Sequence, residues 1–206
     1  MSVGLEVFAI NLQPLRDSRG SGDAQILSRY EAALVDALNE DERGLEPHDQ
    51  HEDGITIRQA LRNYIEGNID VSNTGLAQQY YWMSKSLCEQ FGTLLDAQAF
   101  ESLPSDSVTR KLDLVLLKKG VAEKIRYYGI IEVEPSVNPL GFSPGDEAGD
   151  RGIGYVEYEN VMWILERLEP FDIMGIDKPV ALCLISTYNW LKHAREAKQD
   201  LVFICC

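Results

Sequence analysis

Three short apolar segments of the chain have the composition of β-strands. Residues 3–12 (VGLEVFAINL) are rich in valine, isoleucine and phenylalanine, and Pro14 follows them. Residues 127–134 (YYGIIEVE) alternate in character and end at Pro135, and residues 201–206 (LVFICC) form the third segment. Because an isolated two-stranded ribbon is only marginally stable, we expect these segments to assemble into one small mixed sheet, with helices covering one face.

Apolar residues spaced three and four apart predict six amphipathic helices among these segments. Asp23 is a candidate N-cap for the first helix, which extends to Leu38. Thr56 begins the second, with Gln59 at the spacing of a capping box, and Gly67 ends it. The other helices are expected to begin near Thr74, Ser105, Val156 and Asp177, with a short helical turn after Asp96.

Two segments interrupt the apolar periodicity. Residues 39–53 form a polar, acidic stretch, and residues 138–154 concentrate the glycine, proline and aspartate residues that favour turns. We predict a loop for each. The whole pattern predicts a mostly helical α+β protein in which residues 1–206 form a single domain.

The balance of charges limits the classes of partner. The chain has 33 acidic and 19 basic side chains and a formal net charge of -14. Such a surface repels phosphate backbones and anionic headgroups, so we expect neither nucleic acid nor membrane as a partner. The same field attracts a basic protein or a cationic ligand.

The N-terminal residues and the cysteines indicate the cytoplasm. No basic region followed by an apolar run opens the chain, and no segment approaches the roughly 20 apolar residues of a membrane span. The four cysteines lack the C-x-x-C spacing of zinc and redox sites. We therefore expect free thiols, with Cys88 and Cys183 in the core.

Two groups of residues are candidates for catalysis. His48 and His51 lie among carboxylates and offer ligands for a divalent metal; the alternative, which the spacing favours, is a solvated surface loop. Glu132 and Glu134 project from the same face of a predicted strand. This arrangement is compatible with general acid/base catalysis, and the alternative is a strand edge that faces solvent. His193, on the last predicted helix, is expected to be a surface residue. The phosphate-loop and nucleophile-elbow motifs are absent from the sequence.

The best candidate for a partner-binding surface is the loop at 138–154 with the residues that follow it. Aromatic rings there offer contact area and carboxylates offer negative charge, which together suit a basic partner. The residues are Phe142, Asp146, Glu147, Tyr155, Glu157 and Tyr158. The alternative is that this loop folds back and buries its aromatic rings to close the core.

These features predict a non-catalytic interaction or ligand-binding protein, immunity-like or regulatory, that binds a basic protein or cationic ligand and needs no cofactor. The alternative is a small hydrolase-like enzyme that uses Glu132 or Glu134, or a divalent metal at His48 and His51.

The two ends of the chain resemble the YfbM-like bacterial proteins, a group without an established activity. At the start, the resemblance rests on Gly4, Phe8, Ala9, Ile10 and Leu15. Near the end, it rests on a helix containing TYNWL (187–191) that leads to a strand, LVFI (201–204). The loop at 139–155 ahead of a helix resembles a related bacterial group of unknown function. The resemblance implies a mixed α/β single domain of the bacterial cytoplasm.

Overall fold

The first and last described strands of the protein are neighbours in one sheet. The computed structural model describes residues 5–42, 56–69, 74–100, 106–121, 152–169 and 172–205. The strands are β1 (Leu5–Ile10), β2 (Thr93–Leu95), β3 (Gly152–Val156) and β4 (Asp200–Cys205). The α-helices are α1 (Gln13–Ser18), α2 (Ala24–Ala33), α3 (Val35–Glu42), α4 (Ile57–Glu66), α5 (Thr74–Phe91), α6 (Asp106–Lys118), α7 (Tyr158–Leu168) and α8 (Lys178–Ala197), with a 3₁₀ turn at Gln98–Phe100.

The sheet has the strand order β2-β1-β4-β3. It confirms the mostly helical α+β class and the expectation that the first and last strands share a sheet. All pairings among the described strands are antiparallel, rather than mixed as expected. Between β3 and β4 the reason is the connection: α7 carries the chain away and α8 returns it, so β4 runs opposite to β3. The predicted strand at 127–134 lies outside the described residues.

Both faces of the sheet are covered by helices, so the expectation of one covered face is wrong. Leu5, Val7 and Ala9 of β1 enter a hydrophobic cluster with α6, α7 and α8. Phe8 and Ile10 point the opposite way, into a second cluster with α1 to α5. A strand with apolar side chains at successive positions presents apolar surface on both sides, and burying both requires two layers of helices.

β3 forms where the sequence pattern predicts an irregular loop and the start of a helix. It pairs with β4 from Gly152 opposite Cys205 to Val156 opposite Leu201, and α7 begins at Tyr158. Two glycines in GIGYV lower the intrinsic strand propensity of this segment. Pairing with a neighbour far along the chain therefore decides its conformation.

Three helix boundaries also differ from the sequence pattern. Pro14 follows the first strand as expected, but it also lies in the first turn of α1, a helix that the pattern did not predict. The first turn tolerates proline because its N–H groups have no partner within the helix. The helix predicted from Asp23 to Leu38 is divided into α2 and α3 at Leu34. Residues 39–42 belong to α3 rather than to the acidic loop, because polar residues alone do not end a helix.

Local capping signals set the other helix ends as predicted. The Asp23 carboxylate accepts hydrogen bonds from the N–H groups of Gln25 and Ile26, and the Thr56 hydroxyl accepts one from Gln59. Gly67 ends α4 with a φ of 78°, a left-handed conformation that favours glycine. Asp177 precedes α8 as expected, but its carboxylate contacts Lys111 of α6 instead of capping the helix.

Two cysteines confirm the expectation of free thiols in the core. Cys88 and Cys183 are buried and unpaired with another cysteine. Burial raises the pKa of the Cys88 thiol to about 12 and the pKa of the Cys183 thiol to about 11. Both thiols are therefore protonated and poorly nucleophilic at neutral pH.

One carboxylate joins three elements at the end of the sheet where β4 begins. Asp200 Oδ2 accepts a hydrogen bond from the backbone N–H of Leu12 at 3.0 Å, and Oδ1 accepts one from that of Tyr158 at 2.9 Å. Leu12 lies just before α1, and Tyr158 is the first residue of α7. The first N–H groups of a helix have no partner within it, so Asp200 satisfies donors that the helices cannot.

Replacing Asp200 with alanine is expected to lower the free energy of unfolding by about 1–3 kcal/mol, because two partly buried N–H donors lose their acceptor. Urea denaturation measures this change. The matched control is Asp172→Ala, which removes a carboxylate that accepts an N–H bond from Met174 in an exposed turn. The control should lose about 0.5 kcal/mol or less. Equal losses in the two variants would contradict the role given to Asp200.

Gly92 is expected to tolerate no larger side chain, because backbone atoms surround its Cα. A Cβ there would lie 2.6 Å from the carbonyl oxygen of Cys88 and 3.3 Å from that of Ala9. Neither atom can rotate away, so Gly92→Ala should cost about 1–3 kcal/mol, measured by thermal unfolding. Gly22→Ala is the control: its Cβ meets nothing within 4 Å and only its φ of 63° is unfavourable, a cost of about 1 kcal/mol. A stability loss at Gly92 no larger than at Gly22 would show that the close contact is not limiting.

Candidate functional site

The C-terminal ends of β1 and β3 lie at the same end of the sheet, beside the start of β4. This follows from the antiparallel register, in which Ile10 is opposite Asp200 and Val156 is opposite Leu201. α1 follows β1 directly and α7 follows β3 directly. Side chains from the start of both helices therefore meet at this corner of the sheet.

Arg16 of α1 brings two of the predicted site residues together. Its Nη1 atom donates to Oε1 of Glu157 at 2.8 Å, and its guanidinium carbon lies 5.1 Å from the ring centroid of Tyr155. The Glu157 side chain remains 41% exposed. The ring of Tyr155 packs against the hydrophobic cluster of Phe8 and Ile10, which fixes its position. Tyr155, Glu157 and Arg16 thus form one surface, which we call the corner surface.

Tyr158 belongs to the same corner through its backbone. Its N–H donates to Asp200, and its side chain is half-buried. Neither Tyr155 nor Tyr158 is fully buried, so both rings contribute to the surface as well as to packing. The other predicted partner-binding residues, Phe142, Asp146 and Glu147, lie outside the described residues.

Sequence reasoning missed Arg16 and Asp200, the two residues that organise this corner. Arg16 and Glu157 are 141 positions apart, and Asp200 and Leu12 are 188 apart. No local pattern connects such positions. One local signal was present for Asp200: aspartate is uncommon in strands, and here it begins the run LVFI.

The chemistry of the corner surface suits recognition of positive charge. Arg16 engages one oxygen of Glu157, and Oε2 has no hydrogen-bond partner among the described residues. An exposed carboxylate oxygen beside an aromatic ring can accept hydrogen bonds from a lysine or arginine side chain whose stem packs on the ring.

The predicted catalytic residues fall outside the part of the chain that the structure describes. This holds for His48, His51, Glu132 and Glu134. His193 lies on α8 and is exposed, which confirms its expected surface position. Within the described ranges, no group of three or more histidine, cysteine, aspartate or glutamate side chains is arranged to hold a metal ion.

A second charged cluster lies where α5 packs on β1. Lys85 Nζ lies 3.0 Å from Glu6 Oε1 and 3.8 Å from Glu89 Oε1, and the Lys85 side chain is 16% exposed. Burial raises the pKa of Glu89, the Lys85 ammonium opposes this shift, and the Glu6 carboxylate adds to it. The closer contact of Lys85 is with Glu6, so its charge compensates Glu89 less completely.

Comparison with known proteins gives a family and no activity. Among the described helices, none combines the length and apolar character needed to cross a bilayer. Searches of curated proteins and of solved structures found no match. The family model of a domain of unknown function, DUF7691, matches residues 1–206. The chain therefore belongs to the DUF7691 family.

Proposed function

We propose that this protein is a non-catalytic interaction protein, immunity-like or regulatory, that binds a basic protein or a cationic ligand through the corner surface. The observation that carries the proposal is the exposed carboxylate of Glu157 on a strongly acidic protein, paired with Arg16, which also lies over the ring of Tyr155. We include Tyr158 in the proposed binding surface, together with Phe142, Asp146 and Glu147, which precede β3 in the sequence.

Ion pairs within the chain leave its acidic excess of -14 unchanged, because each pair cancels one positive and one negative charge. Six basic side chains are paired with carboxylates among the described residues. These are Arg16, Arg58, Arg62, Lys85, Lys111 and Arg195. The remaining negative potential favours rapid association with a basic partner.

The charge is also distributed unevenly along the chain. Twelve of the 33 acidic residues lie outside the described ranges, against four of the 19 basic residues. Those segments therefore carry a charge of -8 out of the total of -14. One of them, residues 122–151, contains Asp146 and Glu147 and directly precedes β3 in the sequence.

The proposal also holds that this protein is bacterial and cytoplasmic and is related to the YfbM-like group. The free thiols of Cys88 and Cys183 agree with a reducing compartment. The β1 and β4 segments, which carry the resemblance to that group, are neighbours in the sheet.

Fluorescently labelled oligolysine is expected to bind the protein, with an affinity that falls as salt is added. Glu157→Gln should weaken binding about two- to fivefold, the effect of one exposed ion pair, whereas Arg16→Gln should strengthen it because the carboxylate is released. Fluorescence anisotropy at low and high salt measures both changes.

Matched controls distinguish the effect of the corner surface on binding from the effect of the protein's net charge. Glu196→Gln and Lys178→Gln make the same charge changes at exposed positions of α8. Each should shift the affinity less than its counterpart at the corner. Salt-insensitive binding, or equal shifts at both places, would contradict the proposed surface.

A further inference from the structure

β2 forms one edge of the described sheet. Its three residues pair with β1, with Thr93 opposite Ala9, Leu94 opposite Phe8 and Leu95 opposite Val7. No strand in the described ranges pairs with the other side of β2. The outer N–H and C=O groups of an edge strand can pair with an added strand. This edge is opposite to the one formed by β3.

The β2 edge exposes large apolar side chains. Leu94 is 62% exposed and Phe91, at the end of α5, is 40% exposed. Leu94 shares the sheet face of Phe8, its direct neighbour across the ladder, and the ring of Phe91 contacts Tyr30 on that same side. A strand added beside β2 would therefore cover apolar surface that the fold leaves in water.

Negative charge flanks the same edge. Glu89 lies two residues before the end of α5, with its side chain half exposed, and Asp96 directly follows β2 and is exposed. Lys85, which forms an ion pair with Glu89, lies closer to Glu6 than to Glu89. Burial raises the pKa of Glu89, Lys85 opposes this shift, and the nearby Glu6 carboxylate adds to it.

We infer that the outer edge of β2 is a docking site for an extended segment of a basic protein, which adds to the sheet as a further antiparallel or parallel strand. Apolar residues of that segment cover Leu94 and Phe91, and its lysine or arginine residues pair with Glu89 and Asp96. The basic character of the partner rests on the proposed function, but the surface is a different one from the corner surface.

A second copy of this chain fits the edge less well. Two molecules joined through β2 would each bring a net charge of -14 and place their own Glu89 and Asp96 side chains near each other. Like charges that face each other across an interface oppose association. An extended segment with lysine or arginine beside its apolar residues meets both the apolar and the acidic features of the edge.

The probe is a labelled peptide with the sequence KKTVTVTKK, which combines strand-forming residues with terminal lysines. We expect it to bind the wild-type chain, and Leu94→Lys should weaken binding at least tenfold because it removes the apolar contact and repels the peptide. The matched control, Leu182→Lys, makes the same substitution at a 48% exposed leucine of α8. It should change the affinity less than threefold.

A peptide N-methylated at alternate residues tests the strand pairing, because it keeps the side chains but loses amide donors along one edge. It should bind at least tenfold more weakly. Equal loss in the two lysine variants, or equal affinity of the methylated peptide, would overturn the inference. Light scattering that shows a wild-type dimer lost in Leu94→Lys would also overturn it, in favour of a second copy.

The two proposals fail separately. If Glu157→Gln weakens oligolysine binding while Leu94→Lys leaves the peptide bound, the proposed function stands and the docking site on β2 is wrong. If Leu94→Lys abolishes peptide binding while Glu157→Gln has no effect on oligolysine, the docking site stands and the corner surface is wrong.

Discussion

The pairing of β1 with β4 is the interaction on which the rest of the structure depends. Six residues of each strand are in register, from Leu5 opposite Cys205 to Ile10 opposite Asp200. These two strands form the centre of the sheet, and β2 and β3 each join an outer side of the pair. The side chains of β1 and β4 also supply both hydrophobic clusters, so neither helical layer has a surface to pack on without them.

The corner surface is a direct result of that register. Because Ile10 is opposite Asp200, the chain leaving β1 and the chain entering α7 pass within hydrogen-bonding distance of the same carboxylate. Arg16 follows two residues after Pro14, which fixes the start of α1, and it thereby reaches Glu157. The position of each charged group in the candidate site is thus set by backbone pairing, with the salt bridge adding little stability of its own.

Features that depend on neighbouring residues could be predicted from the sequence, whereas features that depend on contacts between distant residues could not. Asp23, Thr56 and Gly67 predict helix ends correctly because a cap depends on atoms within a few residues. The composition of residues 3–12 predicts β1, but the apolar residues on both faces of this strand were not given their full weight, and the second layer of helices was missed. β3 depends on β4, and Arg16 depends on Glu157, so neither could be inferred without the fold. Of the candidate site, the sequence proposes Tyr155, Glu157 and Tyr158, and their role in binding stays a prediction.

The central strand pair also bears on how the chain is made. β1 is synthesised well before β4, the last described strand. During synthesis, β1 can pair with β2 on one side, but its other side has no partner until β4, nearly 200 residues later, is made. Contacts this distant in sequence slow folding and prolong the exposure of unpaired strand edges.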